Sequence, residues 1–381
     1  MNSLKLILTR RRYFAPAWVF ASLNLWFGTW AIYIPRVQAR LEIDKAQLGI
    51  AIFFLSLGVF TIFPIASRLI NRLGVGRATW YGVVSSSLAA LLPLLAWDYI
   101  SLMAALYLFG MSNGFTDISM NTLVTEIEKE DQQHFMSAAH GFFSLGGVLA
   151  GLGSFLIPFV GLPPLHMAAV VVVVFGINLY LRRQYLHITA APVHQEGVNL
   201  GLLKPLLLLA VISFVVMGGE GAVVDWSALY LKEVSQAPAW LWGSGFLAFS
   251  TTMTLGRFLG DGISRKIGSV RMVGMGSLVA LAGYAAVLTE WALAALSGFA
   301  LIGLGFSVII PELFRIGGKV PGVDSSKGIA LIAGAGYGGF LATPPLLGYL
   351  AEGYSLQVSF WVLAGCALLV LLATAGLGRK G

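Results

Sequence analysis

Asp117 is an acidic residue inside a long apolar stretch of the chain. Residues 99–125 contain no other charged side chain, and an ionisable group at membrane depth costs roughly 2.5 kcal/mol or more. Asn113 and Asn121 lie four residues on either side, so the three polar side chains share one helical face. This pattern predicts that Asp117 titrates and hydrogen-bonds a polar solute between two amides. A structural acid bonded to a neighbouring helix is the alternative.

Two further titratable residues lie within apolar stretches. Ser144 follows His140 by one helical turn, and a histidine could relay protons near neutral pH or could cap a neighbouring helix through one ring nitrogen. Glu220 lies among the glycines of residues 217–221, which weaken a helix and favour the broken geometry found at transport sites. Asp117, Glu220 and His140 are therefore the candidates for proton coupling.

Arg36 follows the first apolar stretch of the chain, residues 14–35, at its expected outer end, and it is a candidate gating residue. Its expected partner is Asp225 or Glu220 in the pseudo-equivalent seventh stretch. Such an ion pair would bias an equilibrium between two conformations. The alternative for Asp225 is that it meets water at the membrane interface.

Four charged residues in the C-terminal half of the chain are expected near the cytoplasmic side of the membrane. Arg257 and Asp261 are one helical turn apart, which predicts an inner gate or brace. Glu312 precedes Arg315 by three residues. This spacing favours a cytoplasmic structural pair over a role of Glu312 as a solute ligand.

Tryptophans near polar side chains are candidates for binding a ring-shaped solute. Flat aromatic rings stack on sugars and polyols, although aromatic residues at the ends of spans are also ordinary interfacial anchors. Trp26 and Trp30 lie deeper in the first stretch than an anchor would, whereas Trp226 fits both interpretations. The predicted solute-binding residues are Asn24, Trp26, Trp30, Asn113, Asn121, Ser144 and Trp226.

The composition shows which elements must position these residues. The chain of 381 residues is 57% hydrophobic and 11% charged, whereas soluble domains carry about 25% charged residues and a helix of about 20 apolar residues spans a bilayer. This predicts an all-α membrane protein with twelve transmembrane helices. The predicted spans are residues 14–35, 47–69, 79–97, 99–125, 135–160, 163–181, 205–229, 240–263, 272–288, 291–314, 328–350 and 358–376.

The distribution of positive charge predicts the orientation. With both termini cytoplasmic, only Arg36, Arg40, Lys45 and Lys232 of the 24 Lys and Arg residues face outward, as the positive-inside rule requires. The net charge of +7 is then an orientation signal, and no nucleic-acid partner is expected.

The chain offers little for catalysis. It has a single cysteine, Cys366, and five histidines that are scattered singly, whereas a membrane enzyme needs clustered acids, histidines or nucleophiles near one interface. We therefore expect no enzymatic activity, no catalytic residue, no metal and no cofactor.

A weak internal repeat divides the chain into two halves. Leu48-Gly49 and Leu73-Gly74 in the first half match Trp242-Gly243 and Ile267-Gly268 in the second half. We expect two six-helix pseudo-repeats at residues 1–182 and 204–381, joined by a polar cytoplasmic linker at 183–203. Parallel repeats of this kind bind their solute near the midplane between the halves.

Residues 67–74 read Ser-Arg-Leu-Ile-Asn-Arg-Leu-Gly. With this loop and its two halves, the sequence resembles the major facilitator superfamily over essentially its whole length. The loop motif of that family is Gly-x-Leu-x-Asp-Arg-x-Gly, and Asn71 replaces its aspartate here. Residues 256–261, Gly-Arg-Phe-Leu-Gly-Asp, resemble the second-half version of the fucose-permease-like branch.

Two more segments resemble that branch. Residues 113–121 are similar to a permease segment in which asparagine follows a glutamate by four residues, and Asp117 and Asn121 fall on those positions. Residues 310–314 are similar as well. The permease's second carboxylate has no counterpart in residues 33–36, so the resemblance does not carry over its substrate.

The resemblance implies a secondary transporter that works by alternating access. We expect a proton-coupled symporter for a sugar, polyol or amino-sugar-like solute, monomeric in a bacterial inner membrane, with the solute, protons and the lipid bilayer as its partners. An efflux pump for hydrophobic or drug-like compounds is one alternative, although the polar face of residues 113–121 argues against it. A sensor or scaffold that does not transport is the other.

Overall fold

In the computed structural model, the described residues, 3–189, 203–320 and 325–377, form helices and turns with no β-strand. The predicted all-α class is confirmed. The chain divides into two compact units, Met1–Ile43 with Ile50–Gln195, and Asp44–Gly49 with Glu196–Gly381. Most of the predicted linker, residues 183–203, lies outside the described residues. The predicted boundaries of the two halves stay a prediction.

Short connections join the successive helices of the first unit. The helices are α1 (Ser3–Thr9), α2 (Arg11–Ala31), α3 (Ile34–Leu41), α4 (Lys45–Leu73), α5 (Val75–Ala89), α6 (Leu92–Leu95), α7 (Tyr99–Asp131), α8 (Met136–Gly153) and α9 (Pro163–Leu181). Short 3-10 turns follow α8 at Ser154–Phe159 and α9 at Arg182–Gln184. The first five residues of α4 belong to the second unit.

The described residues of the second unit form six helices besides the start of α4. They are α10 (Leu203–Glu233), α11 (Ser244–Ile267), α12 (Ser269–Val287), α13 (Ala292–Gly317), α14 (Ser325–Gly353) and α15 (Leu356–Leu377). A 3-10 turn, Ala239–Leu241, precedes α11.

Eight helices in the described part of the chain are long and apolar enough to cross a membrane, or nine if the bent pair α2 and α3 is one span. Helices α7, α11 and α14 are not among the eight. The prediction of twelve spans with cytoplasmic termini is therefore not confirmed by length and composition, and it stays a prediction.

Two predicted spans are interrupted. The chain bends by 43° between α2 and α3, within the predicted first span at 14–35, because Pro35 in the first turn of α3 disfavours helical backbone in the residues before it. The predicted third span at 79–97 likewise divides into α5 and α6, with Pro93 in the first turn of α6.

The internal repeat has a backbone signature. Gly74 precedes α5 with φ 80° and ψ 144°, and Gly268 precedes α12 with φ 85° and ψ 156°. Residues with a side chain avoid this conformation, so both repeats require glycine at the same place. The sequence match between these two loops therefore corresponds to one backbone geometry used twice.

Glycines on α14 permit close packing against α10. A Cβ on Gly339 would lie 3.0 Å from the backbone nitrogen of Gly218, and one on Gly336 would lie 2.7 Å from Oγ of Ser213. Gly334, by contrast, faces open space. Gly336 and Gly339 therefore serve this contact, whereas Gly334 does not.

An ion-pair cluster joins the start of α2 to the end of α7 in the first unit. Arg12 Nε donates to Asp131 Oδ2 at 2.7 Å, and Arg12 Nη2 donates to Glu130 Oε2 at 2.6 Å. The hydrogen bond from Arg12 holds the pKa of Asp131 below its usual value. A depressed carboxyl pKa contributes stability that is present above the unfolded value of about 3.9 and is lost as the pH falls through the folded value.

We expect Arg12→Gln to lower the melting temperature of the purified protein at pH 7 by a few degrees, corresponding to about 1 kcal/mol. The difference from wild type should shrink as the pH falls below about 4, because Asp131 becomes protonated in wild type once the pH passes its lowered pKa. Thermal unfolding at several pH values measures this. Lys129→Gln is the control, because Lys129 pairs with Glu126 on an exposed helix surface, and such pairs contribute little. An equal loss in both variants, or one independent of pH, would contradict this role of Arg12.

Candidate functional site

The polar face of α7 holds its acid through an amide on the same helix. Asn121 Nδ2 donates to Asp117 Oδ1 at 3.2 Å and to the carbonyl oxygen of Asp117 at 2.8 Å. Asp117 has no salt bridge to any residue that the structure describes. The Oδ1 atom of Asn113, one turn earlier, is buried and has no hydrogen-bond partner within the described ranges. The described contacts of Asp117 thus favour a titratable group over a structural link to another helix.

Helices α2 and α8 lie side by side in the same unit. The rings of Phe20 and His140 meet edge to face at 4.9 Å, and Asn24 Nδ2 donates to the carbonyl oxygen of Phe143 at 3.0 Å. Ser144 is buried beside that carbonyl group, whereas His140 is exposed. The structure therefore brings Asn24, His140 and Ser144 to one helix pair. The hydrogen bond from Asn24 to Phe143 links the two helices and occupies one N–H of the Asn24 amide.

The two tryptophans of α2 lie in the interior. Trp26 and Trp30 are both 0% exposed, and their indole N–H groups have no hydrogen-bond partner in the part of the chain that the structure describes. By contrast, Trp97 is 81% exposed and Trp291 66% exposed, as expected of interfacial anchors. This contrast argues against the anchor interpretation of Trp26 and Trp30. Each unpaired buried donor costs about 1–3 kcal/mol unless water or a ligand satisfies it.

A second group of polar side chains lies on α10. Glu220 Oε2 is 3.8 Å from Arg257 Nη2 on α11. Glu220 Oε1, Asp225 Oδ1 and Trp226 Nε1 are buried and lack hydrogen-bond partners among the described residues. Helix α10 therefore carries one buried acid, Asp225, and one largely buried acid, Glu220, which faces an arginine.

The glycines around Glu220 do not break the helix. Helix α10 is continuous over Leu203–Glu233, so the expected broken geometry is wrong. These glycines instead admit neighbouring side chains. A Cβ on Gly219 would lie 2.9 Å from the ring of Phe306, and one on Gly221 would lie 2.6 Å from the ring of Phe340.

Arg36 binds backbone carbonyl groups of its own unit. Its Nη1 donates to Val160 at 2.9 Å and its Nη2 to Ile157 at 2.8 Å, which satisfies carbonyl groups at the end of the 3-10 turn. The pairing of Arg36 with Asp225 or Glu220 stays a prediction, and it would require Arg36 to exchange these partners.

The inner-face residues of the second unit are partly described. Glu312 is 2% exposed, and its Oε1 atom lies 2.8 Å from Arg315 Nη1, which also donates to Ser264 at 3.2 Å. The side chain of Asp261 lies outside the described residues. The brace between Arg257 and Asp261 therefore stays a prediction.

Some polar contacts were not anticipated from the sequence. Lys45, which belongs to the second unit, places Nζ 3.1 Å from Glu233 Oε2 and donates its backbone N–H to Glu352. The hydroxyl group of Tyr33 lies 2.9 Å from His166 Nδ1 in the first unit. These partners are far apart along the chain, so no periodicity links them.

The described ranges contain no group of three or more His, Cys, Asp or Glu side chains that could hold a metal ion. The expectation of no metal and no cofactor therefore meets no candidate site there, and it stays an expectation.

Comparison with known proteins identifies the family. Residues 17–319 match the model of the Major Facilitator Superfamily. The chain belongs to the major facilitator superfamily. The family and its fold are those of multi-pass membrane transporters and not of enzymes, which implies a small-molecule substrate.

Relatives and solved structures cover nearly all of this major facilitator chain. An uncharacterized MFS-type transporter of Yersinia pestis is 30% identical over 363 residues, 94% of this chain and 93% of the relative. The membrane protein MosC of Rhizobium meliloti is 27% identical over 369 residues, 96% of this chain and 90% of MosC. The nucleoside transporter NupG has a TM-score of 0.76 at 12% identity over 100% of both chains.

A bacterial homolog of the human lysosomal transporter Spinster has a TM-score of 0.73 at 13% identity over 98% of both chains. At such identities, the solved structures show the major facilitator fold alone. The resemblance to the superfamily is confirmed, whereas the fucose-permease-like branch is not shown.

Proposed function

We propose that this chain is a proton-coupled symporter that carries a small polar organic solute, a sugar, polyol or amino-sugar-like compound, across a bacterial inner membrane. It works as a monomer by alternating access, with twelve spans and both termini cytoplasmic. Its relationship within the family is to the fucose-permease-like branch.

The observation that carries the proposal is the environment of Asp117. The acid lies within an apolar helical segment, and its described side-chain partner is the amide of Asn121 rather than a cation. An acid without a fixed counter-charge at membrane depth is stable when it is protonated or when a mobile cation pairs with it. Alternate binding and release of a proton at Asp117 therefore supplies the coupling step.

The unpaired polar atoms support a polar solute. Each unit has buried atoms without partners among the described residues: Asn113 Oδ1, Trp26 Nε1 and Trp30 Nε1 in the first unit, and Asp225 Oδ1 and Trp226 Nε1 in the second. The set contains both donors and acceptors, and a hydroxyl group can satisfy either kind. A hydrophobic cargo could satisfy none of them.

The second unit supports a further charge switch. Glu220 faces Arg257, and protonation of Glu220 would release the attraction between them. Because protonation changes the energy of this contact, it can shift the balance between two conformations. In this proposal, His140 relays protons, and Arg36, Asp225, Asp261, Glu312 and Arg315 complete the gates.

A ligand screen on the purified protein tests the solute class. Sugars, polyols, amino sugars and lipophilic cations are compared for their effect on the melting temperature, since a ligand that binds the folded state raises it by mass action. We expect stabilisation by one or more polyhydroxyl compounds. Stabilisation by lipophilic cations alone would favour the efflux alternative and would overturn the polar-solute proposal.

We expect Trp30→Ala to weaken binding of the solute found in that screen by about threefold to tenfold. An aromatic contact contributes roughly 0.5–1.5 kcal/mol beyond area burial, and 1.4 kcal/mol corresponds to a factor of ten. Titration calorimetry on the purified variant measures the dissociation constant, and thermal unfolding of the same sample measures stability.

Trp97→Ala is the matched control, because Trp97 is 81% exposed. This variant should bind the solute as wild type does. If Trp30→Ala lowers only the melting temperature and leaves the dissociation constant unchanged, Trp30 belongs to the scaffold and the stacking argument fails.

A further inference from the structure

Three arginines at the basic end of the first unit have no role in the transport proposal. Arg11 begins α2, and Arg182 and Arg183 follow α9. They line one groove of about 470 Å³ together with Tyr180. No acidic side chain from the described ranges lines this groove. Arg12, next in sequence to Arg11, is by contrast neutralised by Glu130 and Asp131.

Two of these guanidinium groups stack on aromatic rings. Cζ of Arg11 lies 5.4 Å from the ring centroid of Tyr180, and Cζ of Arg182 lies 4.9 Å from that of Trp80. A stacked guanidinium keeps the N–H donors along its edge available, and their fork geometry matches a phosphate group. The groove therefore presents oriented phosphate donors with no counter-charge among the described side chains.

The surface beside the groove is apolar and exposed. On α9, Val172 is 71% exposed, Val173 60% and Tyr180 64%. Of the eight candidate spans, Pro163–Gln184 has the smallest share of buried residues, 28% of its apolar window of 18 residues. Lipid acyl chains must cover this face in a bilayer. A phosphate bound in the groove would thus lie where the headgroup of such a lipid lies, at one end of its acyl chains.

We propose that this groove binds the headgroup phosphate of an anionic phospholipid, such as phosphatidylglycerol or cardiolipin, with the acyl chains lying along α9. Basic pockets beside the membrane-spanning helices suit such headgroups. The continuity of the arginine groove with the exposed face of α9 favours a lipid over a free phosphate ion.

Native mass spectrometry of the full-length protein in detergent tests this site. Phosphatidylglycerol, cardiolipin and phosphatidylcholine are titrated separately onto wild type and onto the double variant Arg11→Gln/Arg183→Gln. Arg182 is kept because it packs on Trp80. We expect wild type to prefer the anionic lipids and the double variant to bind them roughly tenfold more weakly or worse, since two headgroup-facing charges are lost.

The matched control is Arg68→Gln/Arg72→Gln, which removes two exposed arginines of α4 that do not line the groove. This control should bind anionic lipid as wild type does, and an equal loss would overturn the site in favour of general surface charge. Arg11→Lys/Arg183→Lys keeps both charges but not the fork of donors, so its affinity should lie between those of wild type and the Gln variant. A melting temperature of the Gln variant equal to that of wild type shows that its loss of binding is not due to misfolding.

Inorganic phosphate and glycerol 3-phosphate are added as competitors to distinguish the source of the phosphate. We expect neither to displace cardiolipin at concentrations similar to that of the lipid. Full displacement by these soluble compounds, or equal binding of phosphatidylcholine, would overturn the lipid proposal.

Discussion

Replacing Asp117 by Asn is expected to abolish accumulation of the solute against its gradient while exchange of solute across the membrane continues. Accumulation requires that a proton is bound on one side and released on the other, and Asn does not titrate. Exchange requires no net change of protonation. The side chain of Asn is close in size to that of Asp, and it retains an oxygen that can accept the hydrogen bond from Asn121.

Uptake into proteoliposomes under an imposed pH gradient measures this effect. With one proton per solute and a gradient of one pH unit, wild type should accumulate the solute about tenfold, because a tenfold ratio corresponds to 1.4 kcal/mol. The variant should stop at equal concentrations. Asp98→Asn is the control, since Asp98 caps the start of α7 outside the apolar segment and Asn caps helices as well as Asp. Wild-type accumulation by Asp117→Asn would remove Asp117 from the mechanism.

Removing the positive charge of Arg257 is expected to cost both stability and transport. In Arg257→Met, the charged form of Glu220 loses the guanidinium group that lies 3.8 Å from it. Loss of a partner for a largely buried acid costs about 1–3 kcal/mol, which corresponds to several degrees in melting temperature. Transport should fall below a tenth of the wild-type rate, because Glu220 must then stay protonated throughout the cycle.

The double variant Arg257→Met/Glu220→Gln separates the two effects. Neutralising the acid should recover most of the lost melting temperature, because no unpaired charge is left, but it should not recover proton coupling. Arg271→Met removes an exposed arginine from the same unit and should change neither quantity. If the double variant is no more stable than the sum of its single changes predicts, the two residues do not interact as proposed.

Much of the fold follows from local patterns. The composition predicts an all-α membrane chain, and the matched glycines at 74 and 268 predict two repeats that share one loop geometry. The family resemblance rests on short motifs of this kind, and the match over residues 17–319 confirms it. The polar face of α7 is equally local, because a spacing of four residues fixes its geometry.

The parts that the sequence did not predict depend on contacts between distant segments. Glycines near Glu220 predicted a break, but rings from α13 and α14 pack against them and α10 stays continuous. The contacts of Arg36 with the carbonyl groups of Ile157 and Val160 were likewise not foreseen, and its pairing with an acid of α10 stays a prediction. Neither outcome depends on residues adjacent in sequence, so helical periodicity cannot reveal it.

The central claim is that a polar solute and a proton cross the membrane together through this chain. Proteoliposomes loaded with a pH-sensitive dye test it most directly, with lumenal pH recorded as sugars, polyols, amino sugars and lipophilic cations are added outside in the absence of a pH gradient. The account predicts that a polyhydroxyl solute acidifies the lumen of wild-type vesicles and not that of Asp117→Asn vesicles. A response to lipophilic cations alone, or a polar-solute response that persists in Asp117→Asn, would contradict it.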